Sequence, residues 1–181
     1  MEIVVCVKQV PDTTEVKIDP VKNTLIREGV PSIVNPFDKI AVEGALQLKE
    51  KHGGRVRVIS MGPPQAADAL KECLAMGVDE AVLVSDRAFG GADTLATAYA
   101  LSTAIAKMGP VDLIICGKQA IDGDTAQVGP GIAENLGWPQ ITYAAKIEVN
   151  GDTVKVDREH EDGYEIMETK LPAMITVVKS L

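Results

Sequence analysis

Residues 112–141 read DLIICGKQAIDGDTAQVGPGIAENLGWPQI. Leu113, Ile114, Ile115 and Cys116 form a short apolar run of β-branched character, as a strand buried on both faces requires. Gly117 breaks the run, and a polar loop from Lys118 to Asp124 follows. Val128, Ile132 and Leu136 then recur every fourth position, which puts them on one face of a helix. Gly137 can take the left-handed conformation that closes a helix, and Pro139 cannot continue one. Strand, polar loop and helix in that order build the place where open α/β sheets bind ligands, beyond the carboxyl ends of the strands.

The loop suits an anion or a nucleotide. Asp124 or Thr125 can cap the helix, a contribution of about 1 kcal/mol, leaving first-turn N–H groups to point outward at the positive end of the helix dipole. Gly123, Gly129 and Gly131 would let a phosphate approach the backbone closely. The same residues also read as ordinary turn, cap and packing positions, and at this level both readings stand. Neither a Walker A loop nor a GxGxxG fingerprint occurs, so ATP hydrolysis and a standard dinucleotide fold gain no motif support.

Moving outward, Ile3 to Val7 forms a first buried strand, and residues 13–30 alternate apolar and polar residues as an exposed hairpin would. Asn35-Pro36 starts a helix, with Asn35 as N-cap and Pro36 in the first turn, and Gly53-Gly54 ends it. Val56 to Met61 is a second strand, followed by Gly62-Pro63-Pro64 and a helix from Gln65 to Met76. Ala81 to Val84 is a third strand, which the Ser85–Gly91 loop joins to a helix over 92–107. This alternation predicts a mostly parallel sheet covered on both faces, with right-handed crossovers. Beyond residue 145, Asn150-Gly151 marks a hairpin, and a further pair, 164–169 with 173–178, reads as antiparallel strands added at the sheet edge.

A chain of 181 residues supports one domain with a full core. With 3% aromatic residues and a net charge of -8, it has neither the stacking platform nor the basic surface of a nucleic-acid binder. No apolar run approaches the ~20 residues of a membrane span. Three cysteines without a CxxC pair fit reduced, buried thiols, and the expected compartment is the cytoplasm. His52 and His160 have no third partner, so no catalytic triad and no metal cluster is predicted.

Five segments carry a family resemblance: VCVKQVPDT from Val5, NPFDKIAVE from Asn35, MGPP from Met61, SDRAFGGADTLATA from Ser85 and GKQAIDGDTAQVGPGIAENLGWPQ from Gly117. Together they resemble the small (beta) subunit of the electron-transferring flavoproteins, from Met1 to Leu181. The resemblance implies a Rossmann-like, three-layer α/β domain of the adenine nucleotide alpha hydrolase kind, paired with an alpha subunit carrying FAD. Ordinary members hold a structural AMP, and electron-bifurcating members hold a second FAD in its place. The VPDT and SDRAFGGADT segments are similar to the bifurcating kind. There, NADH delivers electrons that divide between an acyl-CoA dehydrogenase and ferredoxin or flavodoxin. Family members continue past this point with an arm reaching onto the alpha subunit, which this single domain, 1–181, is expected to lack.

By the same resemblance, Cys6 and Lys8 lie beside the adenosine, with Asn35, Pro36, Phe37 and Asp38 at the helix start and Met61 with Gly62 lining the same pocket. Phe89, Gly90, Asp93 and Thr94 match a loop approaching the flavin end. Asp122, Gly123, Asp124, Thr125, Ala126, Gln127, Val128 and Gly129 match the loop around the phosphates, continuing through Pro130, Gly131, Ile132 and Ala133. A flavin carries its own redox chemistry, so the lack of a catalytic side-chain motif agrees with this reading. The carboxylates near the phosphates are then expected to turn back onto their own backbones as caps. The alternatives are an AMP-holding module whose redox chemistry sits in the partner, and a nucleotide-hydrolysing or adenylate-forming enzyme, which lacks motif support.

Overall fold

The computed structural model describes residues 1–12 and 31–181. The hairpin expected over 13–30 lies outside the described residues. In chain order the elements are β1 (Glu2–Cys6), β2 (Gln9–Pro11), β3 (Ser32–Val34), α1 (Pro36–His52), β4 (Arg55–Met61), α2 (Ala67–Met76) and β5 (Glu80–Val84). Then follow α3 (Thr94–Lys107), β6 (Leu113–Gly117), α4 (Val128–Leu136), β7 (Gln140–Asn150), β8 (Thr153–His160), β9 (Gly163–Lys170) and β10 (Ala173–Val177). Single 3-10 turns, Pro64–Ala66 and Arg87–Phe89, precede α2 and α3, so both helices begin two residues later than their sequence signals suggest.

One sheet runs β5-β4-β1-β6-β10-β7-β8-β9, parallel from β5 through β7 and antiparallel thereafter, while β2 and β3 pair separately. Alternate strand residues bury on opposite faces, which is why the strand runs are apolar without alternation. Ile3, Val5, Val58 and Ile115 join Ala41, Ala45, Leu48 and Cys73 of α1 and α2 in one core layer. Val4, Ile59, Ile114 and Met174 join Ala98, Leu101, Ile105 and Ile132 of α3 and α4 in the other. The helices therefore sandwich the sheet, in the three-layer α/β arrangement expected.

The last four strands differ from expectation. β10 is neither antiparallel nor at an edge; it inserts parallel between β6 and β7. β7 makes this possible by doubling back. Its start runs beside β10, with Gln140 opposite Met174 and Ala144 opposite Val177. Its far end is nevertheless returned to the beginning of β10, where the Leu171 N–H donates to the Asp152 carbonyl (2.8 Å). An extended run of eleven residues would end about 35 Å away. The reversal falls at Tyr143, whose φ of 61° is left-handed, and at the register shift between Ala144 and Lys146. The returning ribbon packs Val149, Val154 and Val156 into the α1–α2 core layer.

Among the described helices none is long and apolar enough to cross a membrane. All three cysteines are free and buried.

Truncating a central side chain tests this core. Ile115, fully buried between the helix layers, should lose about 2–5 kcal/mol on Ile115→Ala through lost burial and the cavity left behind. Ile166→Ala, on a strand where the side chain is 66% exposed, should stay within about 0.5 kcal/mol of wild type. Urea unfolding reads both; equal losses would contradict the placement of β6 at the centre.

Candidate functional site

Cys6 of β1 and Cys116 of β6 are the last register partners of those two strands. Past them α1 follows β1 on one face and α4 follows β6 on the other, leaving a crevice at the sheet's carboxyl edge. Backbone groups there have no strand to pair with, and side chains from the start of α1 take that role. The Asp38 carboxylate accepts the Lys8 N–H (2.8 Å) and that of Gly117. A Cβ at Gly117 would collide with that carboxylate and with Phe37, so only glycine fits the end of β6.

Asn35 occupies the N-cap position of α1, as the sequence predicts, with Pro36 in the first turn. Its side chain does not cap the helix. It donates to the Gln119 carbonyl (2.9 Å) and accepts from the Ile121 N–H (3.1 Å), while its own N–H donates to the Lys8 carbonyl (2.9 Å). The residue is fully buried, and these bonds fasten the loop after β6 to the start of α1. Burial pushes the Asp38 carboxyl up to about 7, against the opposing hydrogen bonds from Asn35, Lys8 and Gly117 and the Lys8 charge. A folded-state value above the usual 3.8 means that this group's contribution to folding is present in full below about pH 4. It is lost as the pH rises to about 7.

The loop itself departs from the capping expectation. α4 begins at Val128, with Gln127 at the N-cap position and no side-chain cap bond, so neither Asp124 nor Thr125 caps it. Asp124 instead accepts from Gln119 Nε2 (2.7 Å), because Asp124 and Ala126 are left-handed (φ 49° and 53°) and carry the chain away from the helix axis. Asp122 also turns from its backbone: its carboxylate, 6% exposed, meets the Lys8 ammonium at 2.7 Å. Only Asp93 behaves as expected, capping α3 through the Ala96 N–H (2.9 Å). Thr94 then donates to Gln127 Oε1 (3.0 Å), joining the starts of α3 and α4.

Two of the three loop glycines pack rather than clear space for a ligand. A Cβ at Gly129 would sit 2.9 Å from Thr176 Cγ2, and one at Gly131 would sit 2.8 Å from Ala98 Cβ. Gly123 alone faces open space. Ile132 and Ala133 are wholly buried in the α3–α4 core layer, so their side chains face away from the crevice. What the loop does offer is main chain. Among the described residues, the N–H groups of Thr125, Ala126, Gln127, Val128 and Gly129 have no hydrogen-bond partner, and they run from a left-handed turn into the first turn of α4. Such consecutive amides form an anion-binding concavity.

The remaining predicted positions border this crevice or continue its rim. Cys6 and Phe37 lie at its floor, and Met61 with Gly62 at the neighbouring strand end, where the Gly62 N–H donates to the Val84 carbonyl (3.1 Å). Phe89 and Gly90 follow β5, and nothing in the structure brings their side chains onto the loop. Gln119, which sequence reasoning passed over, holds both Asn35 and Asp124; its role depends on contacts across 84 residues of chain, for which no local signal exists. Among the described residues no group of His, Cys, Asp and Glu could hold a metal ion.

Asn35→Ala should leave the Ile121 N–H and the Gln119 carbonyl unpaired, at a cost of about 1–3 kcal/mol. It should also speed amide hydrogen exchange across residues 118–124. Exchange there unchanged from wild type would show that the clip is not what holds the loop.

Comparison with known proteins agrees with this architecture. The electron transfer flavoprotein domain matches residues 22–181. Electron transfer flavoprotein subunit beta of Clostridium acetobutylicum is 64% identical over 181 residues, spanning 100% of this chain and 70% of that protein. That of Megasphaera elsdenii is 60% identical, again over 100% of this chain and 70% of the relative. The Caffeyl-CoA reductase-Etf complex subunit CarD of Acetobacterium woodii is 57% identical at the same coverage. A mostly parallel sheet, a switch-point crevice and these matches lead to one assignment: the chain belongs to the electron transfer flavoprotein family, as a subunit of the beta type.

Proposed function

We propose that the crevice between β1 and β6 holds the adenosine diphosphate half of an FAD. In this reading the chain works in the cytoplasm beside an electron transfer flavoprotein alpha subunit. The observation that carries the proposal is the run of five unpartnered amides from Thr125 to Gly129. Together with the positive end of α4, they suit a diphosphate and no cation. The carboxylates fit as well. Asp122 is neutralised by Lys8, and Asp124 is turned onto Gln119, so neither repels an anion as a free carboxylate would.

In this reading Thr125 to Gly129 bind the phosphates through their N–H groups, and Cys6, Lys8, Asn35, Pro36, Phe37, Asp38, Met61 and Gly62 bound the adenosine side. Gln127, held by Thr94, sets where the first turn of α4 meets the ligand. Asp93 holds the start of α3 beside it, and Phe89 and Gly90 approach the far end of the cofactor. Pro130, lacking an N–H, ends the run of donors. When bound, the flavin supplies two-electron exchange with NADH and one-electron exchange with protein partners. The chain's own part is binding, orientation and exclusion of water. A relative named as a subunit of a caffeyl-CoA reductase complex supports an acyl-CoA dehydrogenase as one electron partner, with ferredoxin or flavodoxin as the other.

The test is cofactor content. The chain purified with its alpha subunit should carry two flavins per heterodimer, read from the visible spectrum and from nucleotide analysis of the denatured supernatant. One flavin with one AMP would replace FAD by AMP in this crevice. A heterodimer with no adenine nucleotide on this chain would overturn the proposal.

A further inference from the structure

We propose that Asp38 is a positioning residue of the nucleotide crevice, holding the ends of β1 and β6 at the spacing the cofactor needs, and that losing its negative charge loosens the grip. This rests on the nucleotide reading above but concerns a residue that does not face the ligand: Asp38 is 6% exposed and lies behind the crevice floor.

The geometry has one carboxylate serving two donors. Lys8 and Gly117 lie just past the last register partners of their strands, and both N–H groups turn to Asp38. An ionised carboxylate accepts from both. A protonated one has a hydrogen of its own to place against two donors, and an amide in its position meets the same conflict. Lys8 is the residue whose ammonium holds Asp122, and its carbonyl accepts from Asn35, which fastens the loop. A change at Asp38 is therefore passed to the loop through bonds that are all in place.

The groups facing Asp38 are few. Lys8 comes from the end of β1, Cys116 from β6 and Cys73 from α2. Cys73 is pushed up to about 11 by burial, and Cys116 is raised far above the usual thiol value by its hydrogen bond with Cys6 and by burial. Lys39, next in the chain, pairs with Glu72. Neither thiol changes charge near neutrality, whereas burial brings the carboxyl to about 7. Proton occupancy at this one site then sets the fraction of chains with the crevice held in shape. Between pH 8 and pH 6 that fraction falls about tenfold for a group titrating near 7, and apparent affinity falls with it.

Dissociation constants for FAD and for AMP, measured on the whole chain at pH 6, 7 and 8, test this in wild type and Asp38→Asn. Ionisation of the ligand is common to both proteins and cancels in their ratio. For whichever nucleotide binds, wild type should weaken about tenfold from pH 8 to pH 6. Asp38→Asn should be weak throughout and flat with pH. The amide protons of Lys8 and Gly117 should shift together through the same midpoint in the wild-type NMR spectrum, a readout that stands if the variant does not fold. Tight binding in wild type that is flat with pH, or that Asp38→Asn leaves unchanged, overturns the positioning role and leaves the nucleotide site standing. Failure of wild type to bind either nucleotide at any pH overturns both.

Discussion

Where two parallel strands part to send their helices to opposite faces, the hydrogen-bond ladder ends and the main chain must find other partners. β1 and β6 part after Cys6 and Cys116. Buried amides without partners are rare because each costs the desolvation of a polar group. Here the missing strand is replaced by two side chains from the start of α1, Asn35 and Asp38, which between them engage Lys8, Gly117, Gln119 and Ile121. Apolar contacts alone would tolerate a slide of α1 along the sheet. Directed bonds do not. The expense is a carboxylate in the core, and the glycine at 117 follows from it, since no other residue leaves room.

The opposite wall is positioned by close packing. Gly131 lets α4 approach Ala98 of α3, and Gly129 lets it approach Thr176 of β10. A side chain at either position would push the helix off the sheet and carry its free N–H groups with it. Packing and ligand binding are therefore not competing accounts of these glycines. The contact that excludes a Cβ is also what sets the first turn of α4 over the ends of β6 and β10.

Elements with local signals were legible in the sequence. The apolar runs of β1, β4 and β6, the Asn35-Pro36 start of α1 and the left-handed Gly137 after α4 each depend on a few neighbouring residues. What failed was non-local. β10 reads as one more edge strand because its apolar run looks the same at an edge or at the centre, and strand order has no local signature. The doubling back of β7 hinges on Tyr143, a residue type that rarely adopts positive φ. Asp38 looked like an ordinary first-turn acid facing the ligand. Its burial depends on Lys8 and Gly117 arriving from two distant strands. Asp124 looked like a cap because it lies a few residues before the helix, and only the left-handed backbone turns it elsewhere.

That left-handed backbone bears on why the loop is built as it is. Asp124 and Ala126 have a Cβ and still take positive φ, at roughly 1–2 kcal/mol each, with Gly123 close by as a cheaper pivot. Strain of this kind persists where surrounding contacts over-determine it, and here they are visible: Gln119 holds Asp124, Asn35 holds Gln119, and Thr94 donates to Gln127. A glycine at 124 or 126 would relieve the backbone and let the peptide planes rotate freely. The side chains prevent that rotation. Held as they are, successive amides from Thr125 to Gly129 stay free of internal partners, so the loop's strain and its capacity to receive an anion come from one arrangement of the main chain.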